Sequence, residues 1–298
     1  MILLHLFGGL GNQLFQYAAG KALSEHLGDK LKMDKTYYDQ KEYENDPLNS
    51  FFDVHIYRNI LENVFEITAP EASLLEVEGY RPSFTKKVIE RLDPYYRRSV
   101  FKQKGFSFDK HFFSARRNII LKGYWQSENF FKPYESQVRK DLTFRNHIIE
   151  RNNEMMSFFT TSTIGIHIRR GDYVANPIIS KYHGALGMDY YNKAIKYIVE
   201  SAGNNIQLIV FSDDIEWCKH NFIQKATLFV DKSFHKNHID EFYLMSRCTH
   251  NIIANSSYSW WAAYLNKTKE KIVVAPKNWF SDPTYINEDI IPDKWIQI

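Results

Sequence analysis

Apolar and polar positions along the chain fall into runs that change period from two to about 3.6 and back, which reads as strands alternating with helices. Residues 2–7 are mostly apolar and stop at Gly8-Gly9-Leu10-Gly11. Leu14, Phe15, Ala18, Ala22 and Leu23 then recur at helical spacing, so the start of the chain predicts a strand, a glycine turn and a helix over about 13–27. Residues 31–33 predict a second strand. From residue 36 to about 113 the pattern weakens into aromatic, charged, proline-punctuated sequence with short helical stretches. A strand over 119–122 and a helix over 128–142 follow. The second half is more regular. Strands are expected over 163–168, 207–211, 227–230, 251–254 and 271–275, with helices over 189–200, 215–221, 239–248 and 257–265 between them. Such alternation implies a parallel, doubly wound sheet with right-handed crossovers. Residues 145–153 are polar and lack an apolar stripe, which places a domain boundary near 145–160 and divides the chain into domains of 1–150 and 151–298. The expected architecture is α/β, two Rossmann-like halves with a cleft between them.

Length and composition add bounds. At 298 residues the chain suffices for two medium domains, and 44% apolar residues is ordinary for a globular protein. The 16% aromatic content is high, and nineteen Tyr and six Trp suggest ring-lined surfaces of the kind that stack on sugars or bases, alongside a ring-rich core. A net charge of +3 is too small to argue for nucleic acid. Cys218 and Cys248 lack the spacing of a zinc site or a disulfide framework, which fits a reducing, cytoplasmic setting. There the N-x-S/T sequences at Asn255 and Asn266 carry no meaning. The N-terminal apolar run has no basic flank and ends at Gly8, so it is read as a strand and not as a signal peptide or membrane anchor.

Polar residues that suit chemistry gather where predicted strands end. Gly165-Ile166-His167-Ile168-Arg169-Arg170-Gly171-Asp172-Tyr173 closes the first strand of the second half. Arginine stays charged at any relevant pH and binds phosphate oxygens bidentately, so Arg169 and Arg170 suit a diphosphate. Asp172, three residues after Arg169, either orients its guanidinium or serves as a base. Phe211-Ser212-Asp213-Asp214 closes the next strand: Asp214 reads as a helix N-cap, leaving Asp213 to accept bonds from guanine or ribose. Asn255-Ser256-Ser257 opens another helix, where hydroxyls and free amides make an anion site. Three strand ends thus carry groups suited to a nucleoside diphosphate. In the first half, Gly9 and Gly11 allow close backbone approach at a helix N-terminus, and Asn12 and Gln13 either cap that helix or bond sugar hydroxyls. The turn is a poor dinucleotide fingerprint, because Leu14 stands where a third glycine belongs. The chain also contains no Asp-x-Asp pair, so leaving-group charge is expected to meet arginine, hydroxyls and helix dipoles and not a metal ion.

Taken together, GGLGNQLFQYA at the N-terminus, GIHIRRGDYV at 165–174, FSDDIEWCK at 211–219 and ANSSYSWWAAYL at 254–265 resemble the bacterial α-1,2-fucosyltransferases, glycosyltransferase family 11. GYWQSENFF at 123–131 and the HG and DYY of 183–191 are smaller echoes, and the likeness runs in order over nearly the whole chain. The resemblance implies a GT-B-like fold and inverting, metal-independent transfer of fucose from GDP-β-L-fucose to the 2-hydroxyl of a terminal β-galactoside. It implies that residues 151–298 hold the donor and 1–150 the acceptor, that Arg169 clamps the diphosphate, and that Asn255, Ser256 and Ser257 hold phosphate oxygens. Asn12 and Gln13 would face fucose or acceptor, and residues 36–113 would supply the acceptor side.

For the base that removes the galactose proton, Asp172 comes first and His167 second. Rival readings are a nucleotide-dependent oxidoreductase, a catalytically silent sugar-binding module, and a transferase of the same fold acting on another hydroxyl. The slightly basic surface permits peripheral contact with an anionic membrane bearing a lipid-linked acceptor.

Overall fold

In the computed structural model, the described residues are 1–39, 54–159, 162–222, 227–232, 234, 237–286 and 288–298. Residues 40–53, part of the segment expected on the acceptor side, lie outside them. The chain forms two compact units: Met1–Thr143 with Ile286–Ile290, and Phe144–Tyr285 with Ile291–Ile298. Residues 286–290 thus join the first unit, although in sequence they lie well inside the second half.

The first unit is built on a four-stranded parallel sheet: β1 (Ile2–His5), β2 (Leu31–Asp34), β3 (Val100–Lys102) and β4 (Ile119–Lys122), in the order β2-β1-β4-β3. Helix α1 (Leu10–Leu27) follows β1 and starts three residues earlier than its apolar spacing suggested. It packs closely on the sheet at Gly20, where a Cβ would come within 3.0 Å of Leu4 and 3.2 Å of Leu31. Gly28 ends α1 in the left-handed conformation that glycine tolerates without strain. The helix expected over 128–142 is shorter, α2 (Glu135–Asp141), preceded by two 3-10 turns around Pro133. Strand β3 escaped the sequence reading because three residues are too few to show a period. Much of the aromatic content is core: Phe101, Phe112, Trp125 and Phe130 are buried together, with Phe112 4.9 Å and Trp125 5.2 Å from Phe130 by ring centroids.

The second unit has a six-stranded parallel sheet: β5 (Thr163–Ile168), β6 (Gln207–Ser212), β7 (Thr227–Phe229), β8 (His250–Ile252), β9 (Val273–Ala275) and β10 (Ile296–Gln297). Their order is β10-β9-β8-β5-β6-β7. Every residue of β5 is buried, as a central parallel strand with both faces covered requires. Gly165 sits where any side chain would strike Cys248 Sγ, a Cβ there falling 2.8 Å from the sulfur. Tyr190, Tyr191, Ala194, Ile195 and Ile198 of α3 (Met188–Ala202) pack on this sheet. Strands β6 and β7 extend the sheet on one side of β5 and β8 extends it on the other. The order therefore reverses at β5, and the loops after β5 and β8 part there, the place where open α/β sheets take ligands.

Both cysteines are free and buried, and burial pushes the Cys218 thiol up to about 11 and the Cys248 thiol to about 12. No helix among the described residues is long and apolar enough to cross a membrane.

Candidate functional site

The site in the second unit grows from the end of β5. Residues 171–175 continue as a short helix, α4 (Gly171–Ala175), where the sequence suggested only a turn. That turn of helix brings Asp172 back beside Arg169, Nε lying 2.8 Å from Asp172 Oδ1. Arg169 Nη1 is 3.1 Å from Asp213 Oδ2, at the end of the neighbouring β6. The three groups form one cluster because β5 and β6 pair in register through His167↔Phe211 and Ile168↔Ser212. Gly171 is needed for this, since a Cβ on it would stand 2.9 Å from Asp213 Oδ2. Burial works to lower the Arg169 pKa, but Asp213 and then Asp172 outweigh it and hold the guanidinium firmly charged. Arg169 Nη2 has no hydrogen-bond or ion-pair partner among the described residues.

The second arginine points elsewhere. Arg170 lies 3.8 Å over the Trp217 ring and 3.3 Å from Asp214 Oδ2, while its backbone N–H donates to Asp213 Oδ1 at 2.8 Å. Trp217 and Asp214 belong to α5 (Ile215–Asn221) and its cap, and Asp214 accepts from Trp217 N–H as its expected N-cap role requires. Arg169 and Arg170 therefore do not act as a paired fork; consecutive residues leaving a strand diverge. Two further candidates are already engaged within the fold. Both oxygens of Asp213 face the arginines, Oδ2 at 3.1 Å from Arg169 Nη1 and Oδ1 accepting from the Arg170 N–H at 2.8 Å. Ser212 is buried, and its hydroxyl accepts from the Asp214 N–H at 3.0 Å.

After β8, Asn255 is a structural tie. Its Nδ2 donates to the carbonyls of His183 (2.7 Å), Gly184 (3.2 Å) and Trp279 (3.2 Å), and Tyr173 Oη donates to its backbone carbonyl at 2.9 Å. Its remaining side-chain atom, Oδ1, is buried without a partner among the described residues and can only accept. The Asn255 side chain therefore has no donor left to offer a phosphate oxygen, contrary to the sequence expectation. Ser256 and Ser257 lie at the start of α7 (Ser257–Leu265), which follows α6 (His238–Ser246); Ser256 is the N-cap and makes no side-chain cap bond.

Residues the sequence reading left without a role complete the cluster. Tyr173 stacks on His183 with centroids 5.0 Å apart and planes at 10°, and Phe280 flanks His183 at 5.4 Å. The motif strings contained Tyr173 and His183, but nothing in their spacing showed that they meet. Among the described residues His167 Nδ1 is buried without a partner, and its ring lies 5.5 Å from Tyr258. Burial pushes the His167 imidazole down to about 3, with Asp213 opposing and Arg169 adding to the fall; burial likewise brings His183 to about 4. An imidazole this resistant to protonation is a weak proton acceptor.

Both histidines remain neutral in the fold at pH values where an unfolded histidine, near 6.5, takes up a proton. The unfolded chain then binds more protons, so stability is complete above about 6.5 and declines as pH falls toward the folded values. Urea titrations at pH 7 and pH 5 should show a lower midpoint at pH 5, and His183→Gln should narrow the gap.

The glycine turn of the first unit is also organised internally. Gly8 has φ +76°, and its carbonyl accepts from Tyr38 Oη (2.7 Å) and Gln13 Nε2 (3.1 Å). Gln13 Nε2 also donates to the Tyr57 carbonyl at 2.9 Å, and the residue is 1% exposed. It does not face a sugar, as expected from sequence; it anchors the turn. Asn12 Oδ1 accepts from Gln126 Nε2 at 2.8 Å. Gly9 caps α1 and Gly11 is buried in its first turn.

A profile of Glycosyl transferase family 11 matches residues 1–298, the whole chain. The chain belongs to glycosyltransferase family 11. This family 11 chain is 31% identical over 306 residues to an alpha-1,2-colitosyltransferase of Escherichia coli, covering 100% of this chain and 99% of that one. It is also 31% identical over 311 residues to the O-antigen biosynthesis glycosyltransferase WbnK of the same organism, covering 98% and 99%. Human galactoside alpha-(1,2)-fucosyltransferase 1 is 25% identical over 157 residues, 49% of this chain and 43% of that protein. Among solved structures, a point mutant of Arabidopsis thaliana FUT1 in complex with GDP superposes with a TM-score of 0.52 at 13% identity, over 98% of this chain and 74% of that one. The α/β fold of this glycosyltransferase is GT-B-like.

Proposed function

We propose that this family 11 glycosyltransferase moves L-fucose from GDP-β-L-fucose to the 2-hydroxyl of a terminal β-galactoside, with inversion and without a metal. The observation that carries the reading is the Arg169–Asp172–Asp213 cluster at the reversal of strand order, in a chain matched from end to end by the family. Support for the linkage and donor class comes from relatives named for α-1,2 transfer of colitose and fucose. WbnK suggests an O-antigen unit as the acceptor.

In this reading galactose O2 attacks fucose C1 as the bond from C1 to the β-phosphate oxygen breaks, and GDP leaves with the electron pair. Positive charge grows on the sugar ring and negative charge on the phosphate. Arg169 Nη2 meets the second, supported by the start of α7, where Ser256 and Ser257 stand at the positive end of the helix. Asp172 holds the guanidinium in place. Arg170 contributes charge at longer range from its seat on Trp217.

The test measures GDP release from GDP-fucose with and without lactose, in EDTA, with the product linkage read by NMR. Acceptor-dependent release that survives EDTA, with fucose on galactose O2, is the expected result. Release abolished by EDTA refutes metal independence, and fucose on another hydroxyl refutes the linkage. The full-length match to a colitosyltransferase favours one second reading, transfer of the 3-deoxy sugar colitose. Competing GDP-colitose against GDP-fucose in the same assay decides the donor by the ratio of kcat/KM values.

A further inference from the structure

Two ion-pair contacts hold the Arg169 guanidinium, Asp172 Oδ1 at 2.8 Å from Nε and Asp213 Oδ2 at 3.1 Å from Nη1. Two contacts on a flat group fix a line and leave the group free to tilt about it. Tilt would carry Nη2 away from a phosphate oxygen, because the donors of a guanidinium lie in its plane. The third contact is an aromatic face. The turn of α4 brings the chain back so that Tyr173, four residues after Arg169, lies under the guanidinium, whose central carbon is 5.6 Å from the ring centroid. At that separation the negative face of a ring attracts a cation.

Tyr173 is built as a mount and not as a reactant. The residue is 7% exposed, and its hydroxyl is taken up by the Asn255 carbonyl at 2.9 Å. Burial pushes the phenol well above its usual range; Arg169 opposes the rise, and Asp172 and Asp213 add to it. The ring stacks on His183, with centroids 5.0 Å apart and planes at 10°, and Phe280 flanks that imidazole. His183 is itself fixed through the backbone. Asn255 Nδ2 donates to its carbonyl at 2.7 Å, and the preceding carbonyl, that of Tyr182, accepts from the Ser281 N–H at 2.9 Å. Gly184 follows at φ +63°, where a Cβ would stand 3.2 Å from Ser281. Asn255 thus grips both rings, Tyr173 through its backbone carbonyl and His183 through its side chain. The imidazole, brought down to about 4 by burial, is neutral at pH 7 and sets no second cation near Arg169.

We infer, on the reading in which Arg169 meets the leaving phosphate, that Tyr173 is a positioning residue: its ring face sets the tilt of the guanidinium and so aims Nη2 before a nucleoside diphosphate arrives. A third carboxylate in its place would compete with the phosphate for that donor. A ring holds the cation without occupying Nη2. Fixing the group beforehand removes its reorganisation from the step in which charge develops.

The test compares Tyr173→Phe, Tyr173→Leu and a trifluorophenylalanine at position 173, which keeps the ring's shape while removing its negative face. Tyr173→Phe should turn over GDP-fucose at close to the wild-type rate. It should melt at a lower temperature, because the Asn255 carbonyl loses its donor. Relative to Tyr173→Phe, both Tyr173→Leu and the fluorinated ring should lower kcat/KM for GDP-fucose, and GDP affinity, by about 10–30-fold, the size of a desolvated cation–π contact. In an Arg169→Gln background, Tyr173→Leu should weaken GDP binding little further, since the two residues act through one group. The positioning role is overturned by a loss in Tyr173→Phe as large as in Tyr173→Leu, by an undiminished rate with the fluorinated ring, or by losses that add in the double variant. The fluorinated ring fills the same space, so it decides the question even where Tyr173→Leu does not fold. Wild type that binds GDP without turning over GDP-fucose, with the affinity losses in place, refutes the fucosyl reading and upholds the role of Tyr173. Wild-type turnover of GDP-fucose that all three changes leave intact does the reverse.

Discussion

Arg169→Lys should lower transfer by about two to three orders of magnitude, although it conserves charge. The removal of one positioned donor to a developing anion typically costs about 2.7–4 kcal/mol in barrier. The lysine ammonium is a point charge and cannot contact Asp172, Asp213 and a phosphate in the fixed directions that Nε, Nη1 and Nη2 provide. Arg169→Ala should be worse in a second way. It leaves Asp172, which is 9% exposed at its side chain, without its cation, and breaking a buried pair from one side costs about 3–5 kcal/mol of stability. Steady-state kinetics combined with thermal melting separates the two losses. The lysine variant should melt closer to wild type than the alanine variant while both lose turnover. A lysine variant that turns over nearly as fast as wild type would remove Arg169 from the charge-stabilising role.

Asn255→Ala should unfold the second unit more readily, and its effect on GDP should be secondary. Three carbonyls, those of His183, Gly184 and Trp279, depend on the NH2 of one side-chain amide. Each buried acceptor left unmet costs about 1–3 kcal/mol, with some recovered by relaxation or an entering water. A total of about 3 kcal/mol is expected, and in a chain of this size a melting point falls by about 2–4 °C per kcal/mol. Because the same tie positions His183 beneath Tyr173, the stacked pair should loosen with it. A phosphate ligand would behave in the opposite way, with melting unchanged and GDP affinity lost. Melting curves with and without GDP therefore distinguish the two roles directly.

The aromatic and polar composition shows how far the sequence was legible. The alternation of strands and helices in the second half was readable because a strand or helix states its period within its own residues. Thr163–Ile168, Ile215–Asn221 and Ser257–Leu265 have the bounds their apolar spacing implied. Elements of two or three residues, such as Val100–Lys102 and Ile296–Gln297, carry no period, and they exist only because a neighbouring strand offers them a ladder. The helix Gly171–Ala175 is similar, five residues whose conformation goes with the Arg169–Asp172 pair.

The candidate site followed the same division. That polar groups gather at the ends of β5, β6 and β8 was determined by the sequence, since parallel strands place their carboxyl ends on one edge. What each group does there was decided by tertiary structure. Asp213 faces Arg169 and Arg170 from a distant part of the chain, Asn255 ties segments near 183 and 279, and Gln13 reaches the carbonyl of Tyr57. His5 and Asp34 gave no sign of each other in sequence and become a pair through the register of β1 and β2. The physical reason is the range of the forces. Hydrophobic periodicity is written into residues a few positions apart, whereas a buried donor must find an acceptor wherever the fold brings one, and only the packed chain fixes which one that is.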